Sequence, residues 1–164
     1  MCIRDRYLVE QLNKDIPVHT GTPGTYDKTR NEKRKWLGER KEMEQITPML
    51  SIEDDRKGAP AFIVETAEKN SGDLELVTIG PLTNIAQALD LDAQLSTHIN
   101  KITMMAGASK VQGNVTPAAE FNVWADPESA ARVFGSGIPI RMVPLDVCHK
   151  TRFGREHLND IGSN

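Results

Sequence analysis

A chain of 164 residues that is 38% hydrophobic and 26% charged has enough apolar material to enclose one core. Its formal net charge of −3 gives no electrostatic reason to expect nucleic acid, which calls for a basic stripe. No apolar run approaches bilayer-spanning length and the first residues do not read as a secretory leader, so no membrane partner is expected. Cys2 and Cys148 are too few and too far apart for a disulfide framework or a zinc site, so a reducing, cytoplasmic location is expected.

Met1-Cys2-Ile3-Arg4-Asp5-Arg6 matches no structural pattern and is expected to be a non-native leader of the kind left by a translated sequencing adapter. Tyr7 to Leu12 reads as the tail of a helix, and Asp160 to Asn164 closes no element. Residues 7–164 are therefore expected to be part of a single domain truncated at both ends. Asp15-Ile16-Pro17-Val18 predicts a short strand entering a loop at Gly21. From about Asp27 to Lys57 both charges are dense, which reads as a solvated surface insertion with one or two helical turns. Trp36 and Met43 would anchor it to the body or form part of a lid.

From Ala59 the pattern becomes regular. Ala59, Phe62, Ile63, Thr66 and Ala67 fall at helical spacing, and the helix they predict ends near Asn70-Ser71-Gly72. Leu74 to Ile79 predicts a strand broken by Gly80-Pro81, after which Leu82, Ile85, Ala86 and Leu89 form the next apolar helix face. A short helical segment within Leu91 to Ile99 and a strand over Lys101 to Met105 follow. Asp126 is a good N-cap with Pro127 at the first helical position, opening a helix expected to bury Ala130, Val133 and Phe134. Ile138 to Leu145 predicts a third strand. Alternating helices and strands define an α/β class: an open, mostly parallel, Rossmann-like sheet with helices on both faces.

Ligands of such sheets bind beyond the carboxyl ends of the strands. Ile79-Gly80-Pro81, Met105-Ala106-Gly107 and the loop after it all lie at such ends. That loop, Gly113 to Pro127, sets the amides of Asn114 and Asn122 and the carboxylate of Glu120 among small and apolar residues. An amide both donates and accepts, and a carboxylate takes several donors, so the trio suits a small, neutral, polyhydroxylated ligand. The bland alternative is an ordinary polar loop.

Thr78-Ile79-Gly80-Pro81-Leu82-Thr83-Asn84-Ile85-Ala86, Met104-Met105-Ala106-Gly107-Ala108, Gly113-Asn114 through Asp126-Pro127-Glu128, and Val143-Pro144-Leu145-Asp146-Val147 occur in order and with the expected spacing. Together they resemble the inosine-uridine-preferring nucleoside hydrolase family, over about Ala59 to Thr151. The resemblance implies water-driven cleavage of the N-glycosidic bond of a ribonucleoside, assisted by a calcium ion that accepts many oxygen ligands in loose geometry. It matches Ile79 to a main-chain calcium carbonyl, Asn114, Glu120 and Asn122 to ribose-binding positions, and Met105 to the lining of the sugar site. Phe121 is expected to border the pocket, and a homo-oligomeric parent, dimer or tetramer, is expected.

Duller readings stand beside these. Ile79 also suits a buried strand residue and Met105 core packing; Asn84 suits satisfaction of local backbone groups, Asp126 a cap, and Asp146 a structural acid at a strand end. His19, His98, His149 and His157 carry no ligand spacing. The aspartate-rich motif that supplies the family's base and most side-chain calcium ligands has no counterpart here, and Asp54-Asp55 is a poor substitute. No catalytic residue is therefore assigned within the chain; the base is expected upstream, and the chain alone is expected to bind calcium weakly and turn over nothing. Of the rival classes, a dinucleotide-binding domain lacks a G-x-G-x-x-G after a strand. A non-catalytic ribose- or nucleoside-binding domain of the same fold stays open.

Overall fold

The computed structural model describes residues 2–27 and 58–151, with Gly154 and His157. The charged segment beyond Asp27, with Trp36, Met43 and the Asp54-Asp55 pair, lies outside the described residues.

Helix α1 (Cys2–Gln11) begins inside the stretch expected to be a leader and leaves Tyr7, Leu8 and the following Leu12 exposed. The strand expected at residues 15–18 does not form. Residues 14–22 take no regular structure, Ile16 is exposed, and Pro17 has no amide to give a ladder. A hydrogen bond from Ala59 N to Thr20 O, 2.9 Å, joins this segment to α2 (Gly58–Lys69). His19 stacks on Phe62 of that helix with ring centroids 3.8 Å apart.

The body repeats one unit. Strand β1 (Leu74–Thr78) leads through a turn to α3 (Thr83–Leu91) and the single turn α4 (Leu95–His98), which feeds β2 (Ile99–Met105). A loop and two further helices, α5 (Phe121–Ala125) and α6 (Pro127–Phe134), lead to β3 (Ile140–Val143) and the short α7 (Leu145–Cys148). The three strands form a parallel sheet in the order β1-β2-β3. Leu76 lies opposite Ile102, which lies opposite Ile140, while Thr78 lies opposite Met104 and Met105 opposite Val143.

One sheet face carries the core. Period-two alternation puts Leu76, Ile102, Met104 and Ile140 on it, where they pack with Leu82, Ile85, Ala86 and Leu89 of the α3 region and with Ala130 and Val133 of α6. Burying each large aliphatic side chain there contributes about 1.5–3 kcal/mol. Phe134 breaks the expectation for α6: it is 46% exposed, because at this last helical position the core face is already taken by Ala130 and Val133. The other sheet face carries Glu75, Val77 and Arg141, all exposed, with Lys101 Nζ paired across the strands to Glu75 Oε1 at 2.8 Å. Among the described residues no helix is long and apolar enough to cross a membrane.

Residues 21–26 lie along α3 and are pinned to it by side chains. Asn84 Oδ1 accepts from Thr22 N at 2.8 Å, and the Thr22 hydroxyl donates to Gln87 Oε1. Asn84 thus satisfies a segment 62 positions away, not the local backbone expected from its place near a helix start. The Tyr26 hydroxyl donates to Asp90 Oδ2 at 2.5 Å, and Arg132 Nε pairs with Asp90 Oδ1 at 3.1 Å. The Tyr26 bond raises the phenol above its ordinary pKa and, with Arg132, holds Asp90 below the usual aspartate value.

Candidate functional site

Every site residue expected from the sequence, Ile79 apart, lies between the end of β2 and the end of α5. β2 stops at Met105, and the chain turns through Ala106 to Gly107, whose φ of 73° is left-handed. Both polar groups of Gly107 are used: its N–H donates to Glu120 Oε2 at 3.0 Å, and its carbonyl accepts from Leu145 N at 3.0 Å. The end of β2 is thereby fastened to the returning loop on one side and to α7 on the other.

The loop is supported by its own backbone. Gly113 N donates to Pro117 O and Val115 N to Ala119 O, both at 3.1 Å, while Thr116 Oγ1 accepts from Ala118 N at 3.3 Å and Ala119 N at 3.0 Å. Gly113 is required by close approach, since a Cβ there would lie 2.2 Å from the Ala119 carbonyl oxygen. The turn delivers Asn114, whose exposed side chain accepts from Phe121 N through Oδ1 at 2.8 Å. Its NH2 group is then the donor it can offer a ligand.

Glu120 is 2% exposed and caps α5. Oε1 accepts from Asn122 N at 2.8 Å; Oε2 accepts from Gly107 N and, at 3.3 Å, from Val123 N. Three backbone amides occupy most of the roughly four lone-pair directions of a carboxylate, leaving room for one more donor. Asn122, also buried, donates through Nδ2 to the Met105 carbonyl at 2.9 Å and approaches Met105 Sδ at 3.2 Å. Asn114, Glu120, Asn122 and Met105 therefore form one connected network, with the half-buried Phe121 inside it.

Ile79 follows Thr78, whose register partner is Met104, so it sits beside Met105 at the same end of the sheet. Its side chain is 74% exposed, which sets aside the buried-strand reading. The described residues do not by themselves fit a calcium ion, which takes six to eight oxygens. Among them no group of three or more His, Cys, Asp or Glu could hold a metal.

The histidines lie elsewhere: His98 Nδ1 is 2.7 Å from Ser71 Oγ, His149 is an exposed helix end, and His157 Nδ1 accepts from Gly154 N. Two acids do structural work, as expected from the sequence. Asp126 caps α6 through Ser129 N. Asp146 accepts from Ser109 N at 2.9 Å and Lys110 N at 2.8 Å, holding the first turn of the site loop. The Ser109 N–H bond, helped by Lys110, keeps its carboxyl below the ordinary aspartate value. A lowered folded pKa means this clasp is complete above the ordinary value and is lost as pH falls through the lower, folded one. The Ser109 and Lys110 amide resonances should accordingly titrate in acid with a midpoint below the usual aspartate range, and Asp146→Asn should abolish that titration. A midpoint at the ordinary value would mean the clasp is absent in solution.

The parallel α/β fold is shared with solved nucleoside hydrolases. A plant nucleoside hydrolase, the PpNRh1 enzyme, superposes with a TM-score of 0.78 at 30% identity, over 99% of this chain and 52% of its own. The family model described as inosine-uridine preferring nucleoside hydrolase matches residues 3–164, and the chain belongs to that family. An uncharacterized protein of Schizosaccharomyces pombe is 45% identical over 106 residues, 64% of this chain and 34% of that protein. The pyrimidine-specific ribonucleoside hydrolase RihB of Escherichia coli O1:K1 / APEC is 34% identical over 142 residues, 87% of this chain and 45% of its own length. The chain thus spans less than half the length of these two curated relatives.

Proposed function

We propose that the protein containing this chain hydrolyses the N-glycosidic bond of ribonucleosides, releasing ribose and free base, and that residues 113–122 grip the ribose. The observation that carries this is the network joining Asn114, Glu120, Asn122 and Met105 at the end of β2. Family membership supports the chemistry. Of the relatives described above, the plant protein is named a nucleoside hydrolase and the Escherichia coli protein a pyrimidine-specific ribonucleoside hydrolase.

In this proposal the chain orients the sugar. The bonds from Asn122 Nδ2 to Met105 O and Sδ fix the amide plane, so its carbonyl oxygen is presented in one orientation. Asn114 offers its NH2 group, and Glu120 its remaining lone pair. Vicinal hydroxyls, each donor and acceptor, match that set. As the C1′–N bond breaks, positive charge spreads over the ring, and hydrogen bonds held rigid before reaction favour the flattened sugar. Water supplies the incoming oxygen at C1′ and, through its proton, the hydrogen taken up by the departing base. Calcium as the ion, with Ile79 O among its ligands, and a homo-oligomer belong to the same proposal and rest on the resemblance, while a cytoplasmic location rests on the sparse cysteines.

The test is turnover by the whole protein on inosine and uridine, with Asn114→Ala as the probing variant. Asn114 is exposed and, among the described residues, its side chain bonds the Phe121 amide, so the fold should survive. kcat/KM should fall on the order of 30-fold, as for loss of one oriented sugar contact. Nucleoside binding without release of base would instead support the non-catalytic binding domain, and unchanged kcat/KM in Asn114→Ala would remove the loop from the site.

A further inference from the structure

Asp126 has a geometry that capping does not require. A helix N-cap needs one side-chain acceptor, and Ser, Thr or Asn serves as well as Asp. Here Oδ1 performs that task on Ser129 N at 3.2 Å. The second oxygen, Oδ2, accepts from two other parts of the chain: the Thr83 hydroxyl at 2.5 Å and Tyr26 N at 2.8 Å. The residue is 0% exposed. A carboxylate taken wholly out of water persists only when donors replace its hydration. Three donors from three segments do so here, and the partners reach across 43 and 100 positions of sequence.

The placement of those partners bears on the candidate site. Thr83 is the first residue of α3, directly after the Ile79-Gly80-Pro81-Leu82 turn at the end of β1. Asp126 directly follows α5, the five-residue helix that carries Asn122 and is capped by Glu120. The two sides of the site leave the sheet from different strands. The Asp126–Thr83 bond is a buried crosslink between them, and Tyr26 N fastens the segment along α3 to the same point.

We propose that Asp126 is a positioning residue, which through its bond to Thr83 sets the separation between the Ile79–Pro81 turn and the Glu120–Asn122 segment. This rests on the proposed ribose site, and adds that the two halves are held in register by a buried carboxylate touching neither. A displacement near 1 Å at a reacting centre can cost about 100-fold in rate, so a crosslink at this place bears on kcat.

Thr83→Val tests it most cleanly. The substitution keeps the volume and removes only the hydroxyl, leaving the α6 cap and the Tyr26 bond in place. In the whole protein, kcat should fall about tenfold with KM changed less than about twofold, and Thr83→Ser should restore it. Lower stability with kcat retained by the folded enzyme would show a merely structural bond and overturn the proposal. A second readout needs no turnover, so failure of the hydrolase assignment is distinguishable. In the labelled 164-residue chain, Thr83→Val should shift the Gly80 amide and the Asn122 side-chain NH2 resonances together, and Thr83→Ser should return both. Shifts confined to residues 82–86 overturn the coupling whatever the enzyme assay gives. Should Thr83→Val fail to fold, Thr83→Cys, a weaker donor of similar size, should give the same paired shifts with smaller amplitude.

Discussion

Glu120→Ala should lower the stability of the chain by about 3 kcal/mol, among the largest effects of any single site substitution. The carboxylate is the common acceptor for Gly107 N, Asn122 N and Val123 N, and it is 2% exposed. Each amide left buried without a partner costs about 1–3 kcal/mol, and loss of the cap about 1 more. Water entering the vacated space satisfies some of these groups, which brings the total below the plain sum. The bond to Gly107 is the consequential one, because Gly107 also accepts from Leu145 N and so joins the end of β2 to α7. Glu120→Gln keeps one oxygen but turns an NH2 group toward amide donors, so it should fall between wild type and Glu120→Ala. Urea unfolding checks this, and a Glu120→Ala midpoint equal to wild type would mean the carboxylate does not hold the loop.

Gly113→Ala should reverse that balance, with a modest loss of stability and a severe loss of function. The added Cβ would lie 2.2, 2.4 and 2.5 Å from the O, C and N atoms of Ala119. All three are backbone atoms, so no side chain can swing aside, and the turn must open. That breaks the Gly113–Pro117 and Val115–Ala119 hydrogen bonds. The turn is largely exposed, and its amides can turn to water, so the cost in stability should be about 1–2 kcal/mol. Asn114 is the next residue, and its position depends on the closed turn. A shift near 1 Å there should lower kcat/KM about 100-fold. Kinetics and unfolding measured on the same preparation separate the two effects. A Gly113→Ala enzyme of wild-type kcat/KM would show that the turn does not position the sugar contacts.

Much of the scaffold is legible in the sequence because its signals are local. The helical spacing of Leu82, Ile85, Ala86 and Leu89 gives the buried face of α3, and Asp126-Pro127 gives the start of α6. The loop from Gly113 to Asn122 is conspicuous because polar residues stand in an apolar setting. What stays hidden is short or long-range. α5 has five residues, too few for periodicity to register, and its cap is a glutamate, outside the usual capping residues. The bonds of Asn84 to Thr22 and of Asp126 to Thr83 and Tyr26 span 62, 43 and 100 positions, so no window of sequence contains both partners. Ile16 and Val18 look like strand residues, yet no strand forms over them. Phe134 looks like core, yet the turn of α6 leaves it exposed.

The most direct test of the ribose grip is a crystal structure of the whole protein soaked with ribose. The expected result is the sugar at the carboxyl end of β2, with its hydroxyls about 3 Å from the side chains of Asn114, Glu120 and Asn122. A sugar bound elsewhere, or bound with those three side chains turned away from it, would contradict the assignment.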